Sequence, residues 1–205
     1  SIIDIDGIYV NVTTTDLNRH YAFTDFNNSL AGWWKFEGNV SDSSENGNNG
    51  TITGDPQNVT GIFGGAYDFD GTGDKLTMDE DYNDILDLTA NRDMTYSMWV
   101  KTGTVKTMNP ALLDKRERVS DTNWKGIVIN IDDGATSGQI RSELYYGSSG
   151  SAIQSIGTTN ISDNTWHHVA VVLDRNSTQQ IYVDGILEDS DSISAYAATD
   201  LSHDY

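Results

Sequence analysis

The chain has 205 residues, 12 Lys and Arg against 31 Asp and Glu, a formal net charge of −19, and 37% hydrophobic content. Such an anion repels phosphate backbones and anionic headgroups, which argues against nucleic-acid partners and membrane-surface attachment. No apolar run approaches the ~20 residues that a spanning helix needs, so direct membrane insertion is not expected. Of the acids, 25 are Asp and 6 are Glu. Asp disfavours helix interiors and favours turns and calcium loops, so the charge reads as loop-rich β structure. Cysteine is absent, which excludes disulfide scaffolds, thiol catalysis and cysteine-ligated zinc.

Residues 1–29 read as a unit of their own. Gly7 to Thr13 alternates with period two, and Asp16 to Arg19 can turn it into a second strand over His20 to Thr24. A lone hairpin is marginal in water, so it belongs to something larger. A main domain is expected over residues 30–205. Trp33 to Phe36 is its first expected strand, followed by the turn-rich tract Ser41 to Gly50. Ala66 to Asp70 and Lys75 to Met78, flanking Gly71-Thr72-Gly73-Asp74, read as a hairpin. Met94 to Lys101 alternates, as do Ile127, Ile129 and Ile131. In the next segment Trp166, His168, Ala170 and Val172 face one way, and His167, Val169, Val171 and Leu173 the other. Asp184-Gly185 is a strong hairpin-turn dipeptide between Ile181 to Val183 and Ile186-Leu187. Short strands at this spacing predict an all-β, antiparallel sandwich.

Asn-x-Ser/Thr occurs at Asn11, Asn27, Asn39, Asn49, Asn58, Asn160 and Asn176. The 17 Asn and 40 Ser and Thr would give about three by chance, so seven sites point to a glycoprotein of the extracellular space or cell surface.

Three phrases carry a resemblance. They are Trp33-Trp34-Lys35-Phe36-Glu37 with Asp42 to Thr51, Gly61 to Asp74, and Trp166 to Val172 with Ile181-Tyr182-Val183-Asp184-Gly185. Their order resembles the laminin-G-like, concanavalin-A-like jelly rolls of extracellular proteins, over roughly residues 30–195. The resemblance implies a jelly-roll β-sandwich, with His168 on the core side beside Trp166. It also implies further strands after the Asp184-Gly185 hairpin, so the chain reads as a fragment or as a sandwich completed by a neighbour. Residues 1–26 resemble the last hairpin of an immunoglobulin-like domain.

Glycanases of this resemblance carry Glu-x-Asp-x-Glu on one strand. No such triplet occurs, and His167 and His168 point to opposite faces, so the expected function is non-catalytic. Calcium is the candidate cofactor, because Asp-rich turns supply carboxylates and carbonyls. Its candidate ligands are Asp70 and Asp74 in one loop, and Asp42 and Asn46 in another. Sugar binding needs an aromatic platform. Trp124, Tyr145, Tyr146 and Tyr82 are the aromatics that strand alternation leaves unexplained, whereas Trp33, Trp99 and Trp166 are expected in the core. The expected function is an extracellular recognition and adhesion module for a glycan or a cell-surface protein, with Ca²⁺ as a candidate aid. The alternative is a structural link of a stalk, sheath or filament, assembled with neighbouring copies through an open sandwich edge.

Overall fold

The computed structural model describes residues 29–78, 85–103, 110–132, 138–147 and 151–202. The expected amino-terminal hairpin, Tyr82 and the sequons at Asn11 and Asn27 lie outside the described residues.

The described elements are β1 (Gly50–Thr53), β2 (Gln57–Thr60), β3 (Gly65–Asp68), β4 (Lys75–Met78), β5 (Met94–Lys101), β6 (Ala111–Arg118), β7 (Trp124–Ile131), β8 (Ile140–Tyr146), β9 (Ala152–Ile156), β10 (Trp166–Leu173), β11 (Thr178–Val183) and β12 (Ile186–Ser192), with a 3-10 turn at Ser194–Tyr196. Two four-stranded antiparallel sheets dominate, in the orders β12-β11-β10-β5 and β6-β7-β8-β9. Their inner faces share one apolar cluster. Val169, Val171, Leu173, Ile181 and Val183 come from the first sheet, and Ile127, Ile129, Ile131, Ile140 and Leu144 from the second. This is the β-sandwich that the alternation predicts.

The register settles several local expectations. Asp184 and Gly185 adopt φ of 50° and 80°, the backbone that a two-residue hairpin turn demands, and they join β11 to β12. Two other expectations are corrected. Trp33 to Phe36 forms only an isolated bridge between Trp34 and Asp42. The strands either side of Asp70 to Asp74 do not form a hairpin: β3 pairs with β2 and β4 with β1. Turn residues mark where the chain bends, but not which strand receives it.

On β10 the inward row is His167, Val169, Val171 and Leu173, all buried. His168 shares Trp166's parity as expected, but that row faces outward. There His168 Nε2 lies 2.8 Å from Ser97 Oγ, and its ring lies 5.3 Å from Trp99. Trp99 is 41% exposed, which corrects its expected place in the core; its row-mates Thr95, Ser97 and Lys101 are exposed as well. Trp166 is half-buried on the same outer row. Trp33 lies outside any regular strand, with Lys35 Nζ 4.4 Å from its ring centroid.

Polar side chains tie the two sheets together. Gln179 on β11 is fully buried. Its Nε2 donates to the Ser142 carbonyl at 3.1 Å and to Ser155 Oγ at 3.0 Å, and its Oε1 accepts from Ser142 Oγ at 3.2 Å. At the flank, β12 offers acids to the β9 edge. Asp189 accepts the Ile156 N–H at 2.7 Å, Asp191 accepts Ser155 Oγ at 2.8 Å, and Glu188 accepts the Thr158 and Thr159 N–H groups at 2.6 and 2.8 Å. These carboxylates satisfy edge donors that would otherwise recruit another strand.

His167 is held between two carboxylates, with Nδ1 2.8 Å from Asp184 and Nε2 3.2 Å from Asp163. Burial opposes its charge, but the hydrogen bonds and charges of Asp184 and Asp163 prevail and raise its pKa above 6.5. The hydrogen bond from the His168 N–H, then that from His167, holds Asp184 below 3.8. Those from Thr165, then that from His167, do the same for Asp163. The imidazolium's contribution is therefore fully present below the unfolded histidine value and fades as pH rises through the raised folded one. The carboxylate contributions persist above their unfolded value and fade as pH falls through their depressed ones. Thermal melts from about pH 6 to about pH 8 should show the wild type losing stability more steeply than a His167→Gln variant. Parallel slopes would contradict this assignment.

Candidate functional site

The outward face of the β6-β7-β8-β9 sheet gathers polar and aromatic side chains. Its position follows from the β6–β7 hairpin, closed by the Val119 N–H to the Asn123 carbonyl at 2.9 Å. Trp124 is the first residue of β7, and period-two alternation puts Trp124, Gly126, Val128 and Asn130 on the face opposite the core. Register then builds rows across the sheet. Arg118 stands opposite Trp124. Arg116, Gly126, Tyr145 and Ala152 form the next row, and Asp114, Val128, Glu143 and Gln154 the one after it.

Arg116 is the centre of this face. Its guanidinium carbon lies 5.2 Å from the Trp124 ring centroid and 5.4 Å from that of Tyr145, within cation–π range of both. Its Nε and Nη2 donate to the two Asp114 oxygens at 2.7 and 2.6 Å, a bidentate pair. The Asp114 hydrogen bond, against the cost of burial, raises the Arg116 pKa further. Burial first, and then the Glu143 charge, raises Tyr145 above its ordinary value, so its hydroxyl stays protonated at neutral pH and donates to Glu143 at 3.3 Å. Gln154 Nε2 donates to the other Glu143 oxygen at 2.7 Å. Further along the face, Arg141 is ion-paired with the buried Asp132.

Gly126 allows this arrangement. It adopts φ of +111°, and a Cβ there would meet the Lys115 carbonyl oxygen at 2.1 Å. With no side chain between Arg116 and Tyr145, the guanidinium can reach across its row. Gly126→Ala should cost about 1–3 kcal/mol by forcing a disfavoured backbone against β6. Chemical denaturation would check it, and an unchanged midpoint would sink the claim.

Trp124 and Tyr145, two of the four predicted platform residues, thus meet across one guanidinium. Tyr146 does not join them, because adjacent strand residues point to opposite faces. It packs against the core cluster and stacks on Tyr196 with ring centroids 3.9 Å apart.

The predicted calcium ligands serve two separate turns. Asp42 Oδ1 accepts the Trp33 and Ser44 N–H groups at 2.9 and 2.8 Å. Its Oδ2 accepts Ser44 Oγ at 2.7 Å and the Asn48 N–H at 3.0 Å. Burial opposes the charge, yet these four donors hold the Asp42 pKa below its ordinary value. Asn46 donates Nδ2 to the Leu30 carbonyl at 2.7 Å. In the other loop, Asp74 accepts the Asp55 and Asp70 N–H groups at 2.9 and 3.3 Å, and Asp70 accepts the Thr72 N–H at 2.6 Å. Among the described residues no three acidic or histidine side chains gather in a way that could hold a metal.

Asp114, Arg116, Glu143 and Gln154 escaped the sequence reading. β6 reads Ala-Leu-Leu-Asp-Lys-Arg-Glu-Arg, a charged run with weak alternation and a register shift between Ala111 and Leu113. The one available signal was alternation on β7, which puts Trp124 on a face whose neighbours only pairing reveals.

A family model, the concanavalin A-like lectin/glucanases superfamily, matches residues 70–204. The chain belongs to this superfamily. No curated protein matches it in sequence. Among solved structures, the binding domain of Paraclostridial Mosquitocidal Protein 1 superposes with a TM-score of 0.63 at 16% identity, covering 84% of this chain and 41% of that one. The receptor binding domain of botulinum neurotoxin C/D mosaic serotype gives 0.60 at 19% identity, covering 79% and 38%. The binding domain of botulinum neurotoxin DC, in complex with rat synaptotagmin II, gives 0.58 at 15%, covering 83% and 41%. That domain has also been solved in complex with SialylT. This superfamily member therefore spans about two fifths of those domains, and at such identity the likeness concerns the fold.

Proposed function

We propose that this superfamily member is a non-catalytic recognition module that binds a glycan on the outward face of β6-β7-β8-β9. The observation that carries the reading is Trp124 and Tyr145 either side of Arg116, with Asp114, Glu143 and Gln154 in the adjoining row. A sugar ring offers C–H groups to an aromatic face and hydroxyls to carboxylates and amides, and this face supplies both partners. Two solved neighbours of the same fold are named as binding domains and one as a receptor binding domain, which supports recognition over hydrolysis. The carboxylates of the face also speak against a glycanase. Asp114 is paired with Arg116 and Glu143 accepts from Tyr145 and Gln154, so both serve as fixed acceptors.

An extracellular or cell-surface setting is part of the proposal. Asn39, Asn49, Asn58, Asn160 and Asn176 are all exposed, as glycosylated asparagines must be. The test is a glycan-array screen of the recombinant chain with millimolar Ca²⁺ and again with chelator. Binding in both buffers would support the reading without the metal, and loss with chelator would assign Ca²⁺ a part in it. A blank array from folded protein would overturn it.

A specific observation favours a second reading, contact with a protein partner or a neighbouring copy. On the outer face of the other sheet, Phe63 is 42% and Trp99 41% exposed, with their rings edge to face at 5.6 Å. Sedimentation analysis of the wild type and of Trp99→Ser would test it through a concentration-dependent mass that the substitution abolishes.

A further inference from the structure

The charges around the aromatic pair specify more than a sugar. We infer that the β6-β7-β8-β9 face selects neutral glycans and rejects those bearing carboxylate or sulfate, an inference that rests on the glycan-binding reading above. Every Arg of this face is ion-paired to a carboxylate. Arg116 pairs with Asp114 at 2.6 Å and Arg118 with Asp121 at 3.0 Å. Arg141 pairs with Asp132. The cation nearest the rings is the most fully committed, since Asp114 takes Arg116 in a two-pronged grip.

An acidic sugar needs an uncommitted cation, because taking its carboxylate out of water without one is strongly unfavourable. Here it would have to displace Asp114 or face it. Glu143 adds a carboxylate to the same row, and it accepts from the neutral Tyr145 and Gln154. The chain's net charge of −19 extends the repulsion to the approach of the ligand. Hydroxyl groups meet the opposite situation. A carboxylate has about four lone-pair sites; Asp114, its side chain 43% exposed, has two filled by Arg116 and can still accept from a sugar hydroxyl, whereas Glu143 is buried and acts through its charge. Rings stacked on the aromatic faces, with a hydroxyl directed at Asp114, describe an uncharged hexose or N-acetylhexosamine.

The experiment is an array of matched pairs. Oligosaccharides of glucose, galactose, mannose and N-acetylglucosamine are each printed beside the sialylated, sulfated or uronic-acid counterpart, and probed at low and high NaCl. The neutral member of a bound pair should exceed its acidic partner by roughly tenfold or more at low salt. The gap should narrow at about 1 M salt, where screening shortens to ~3 Å. An Asp114→Asn variant, which releases Arg116 from its counter-charge, should shift the ratio toward the acidic member while the melting temperature confirms folding. Equal or tighter binding of the acidic members by the wild type would overturn the selectivity and leave the glycan-binding reading standing. An unchanged ratio in the folded variant would overturn the part given to Asp114 and Arg116. Binding to neither member would overturn both readings together.

Discussion

Replacing Arg175 with methionine is expected to destabilise the protein by about 1–3 kcal/mol, the cost of leaving buried carbonyl acceptors without their donor. Arg175 sits in the turn between β10 and β11, where a solvated residue would be ordinary, yet it is 0% exposed. Its Nη2 donates to the carbonyls of Tyr196 and Thr199, each at 2.7 Å, and more weakly to Ala197 at 3.3 Å. Its own N–H donates to Asp93 at 2.7 Å. One side chain thus fastens residues 196–199 beneath the sandwich, where Leu201 N–H also meets the Leu88 carbonyl at 2.9 Å. Burial lowers the Arg175 pKa, with the Asp200 and Asp93 charges opposing that shift, so the cation is held by charge as well as by carbonyls. Urea denaturation reads the loss directly, and a change below about 1 kcal/mol, the size of a surface substitution, would show that the segment does not depend on this anchor.

The second large effect falls on binding. Trp124→Ala should weaken the glycan response by roughly thirtyfold, about 2 kcal/mol, the scale of an aromatic anchor at the centre of an interface. Trp124→Phe should retain most of it, because a flat ring remains beside Arg116. Surface plasmon resonance against the strongest array hit separates the two variants. Loss in both, with unchanged melting temperatures, would point to the indole N–H instead of the ring face.

The sequence announced the sandwich wherever a local rule forces one conformation. Asp184-Gly185 turned as expected because both residues must adopt positive φ, and β5 and β10 kept the parity their alternation displays. What it concealed was pairing over long separations. Nothing in Asp70 to Asp74 tells that β3 goes to β2 and β4 to β1. β6 was hidden for a related reason, since its charged residues acquire meaning only beside Gly126, Val128 and their partners on β8. Trp99 shows a misread signal. Bulk and apolarity suggested the core, while its row-mates Thr95, Ser97 and Lys101 marked that row as outward. Of the predicted site, Trp124 and Tyr145 were legible as aromatics out of pattern. Tyr146 was separable from Tyr145 by parity alone.

The most direct test of the central claim is a ¹H–¹⁵N spectrum of the five tryptophan indoles titrated with the strongest neutral oligosaccharide from the array. Each resonance is assigned by single Trp→Phe substitution. The Trp124 indole should shift with saturation while that of Trp99, on the opposite sheet, stays in place. A saturating shift at Trp99 with Trp124 unmoved would contradict the claim and move recognition to the Phe63–Trp99–His168 face.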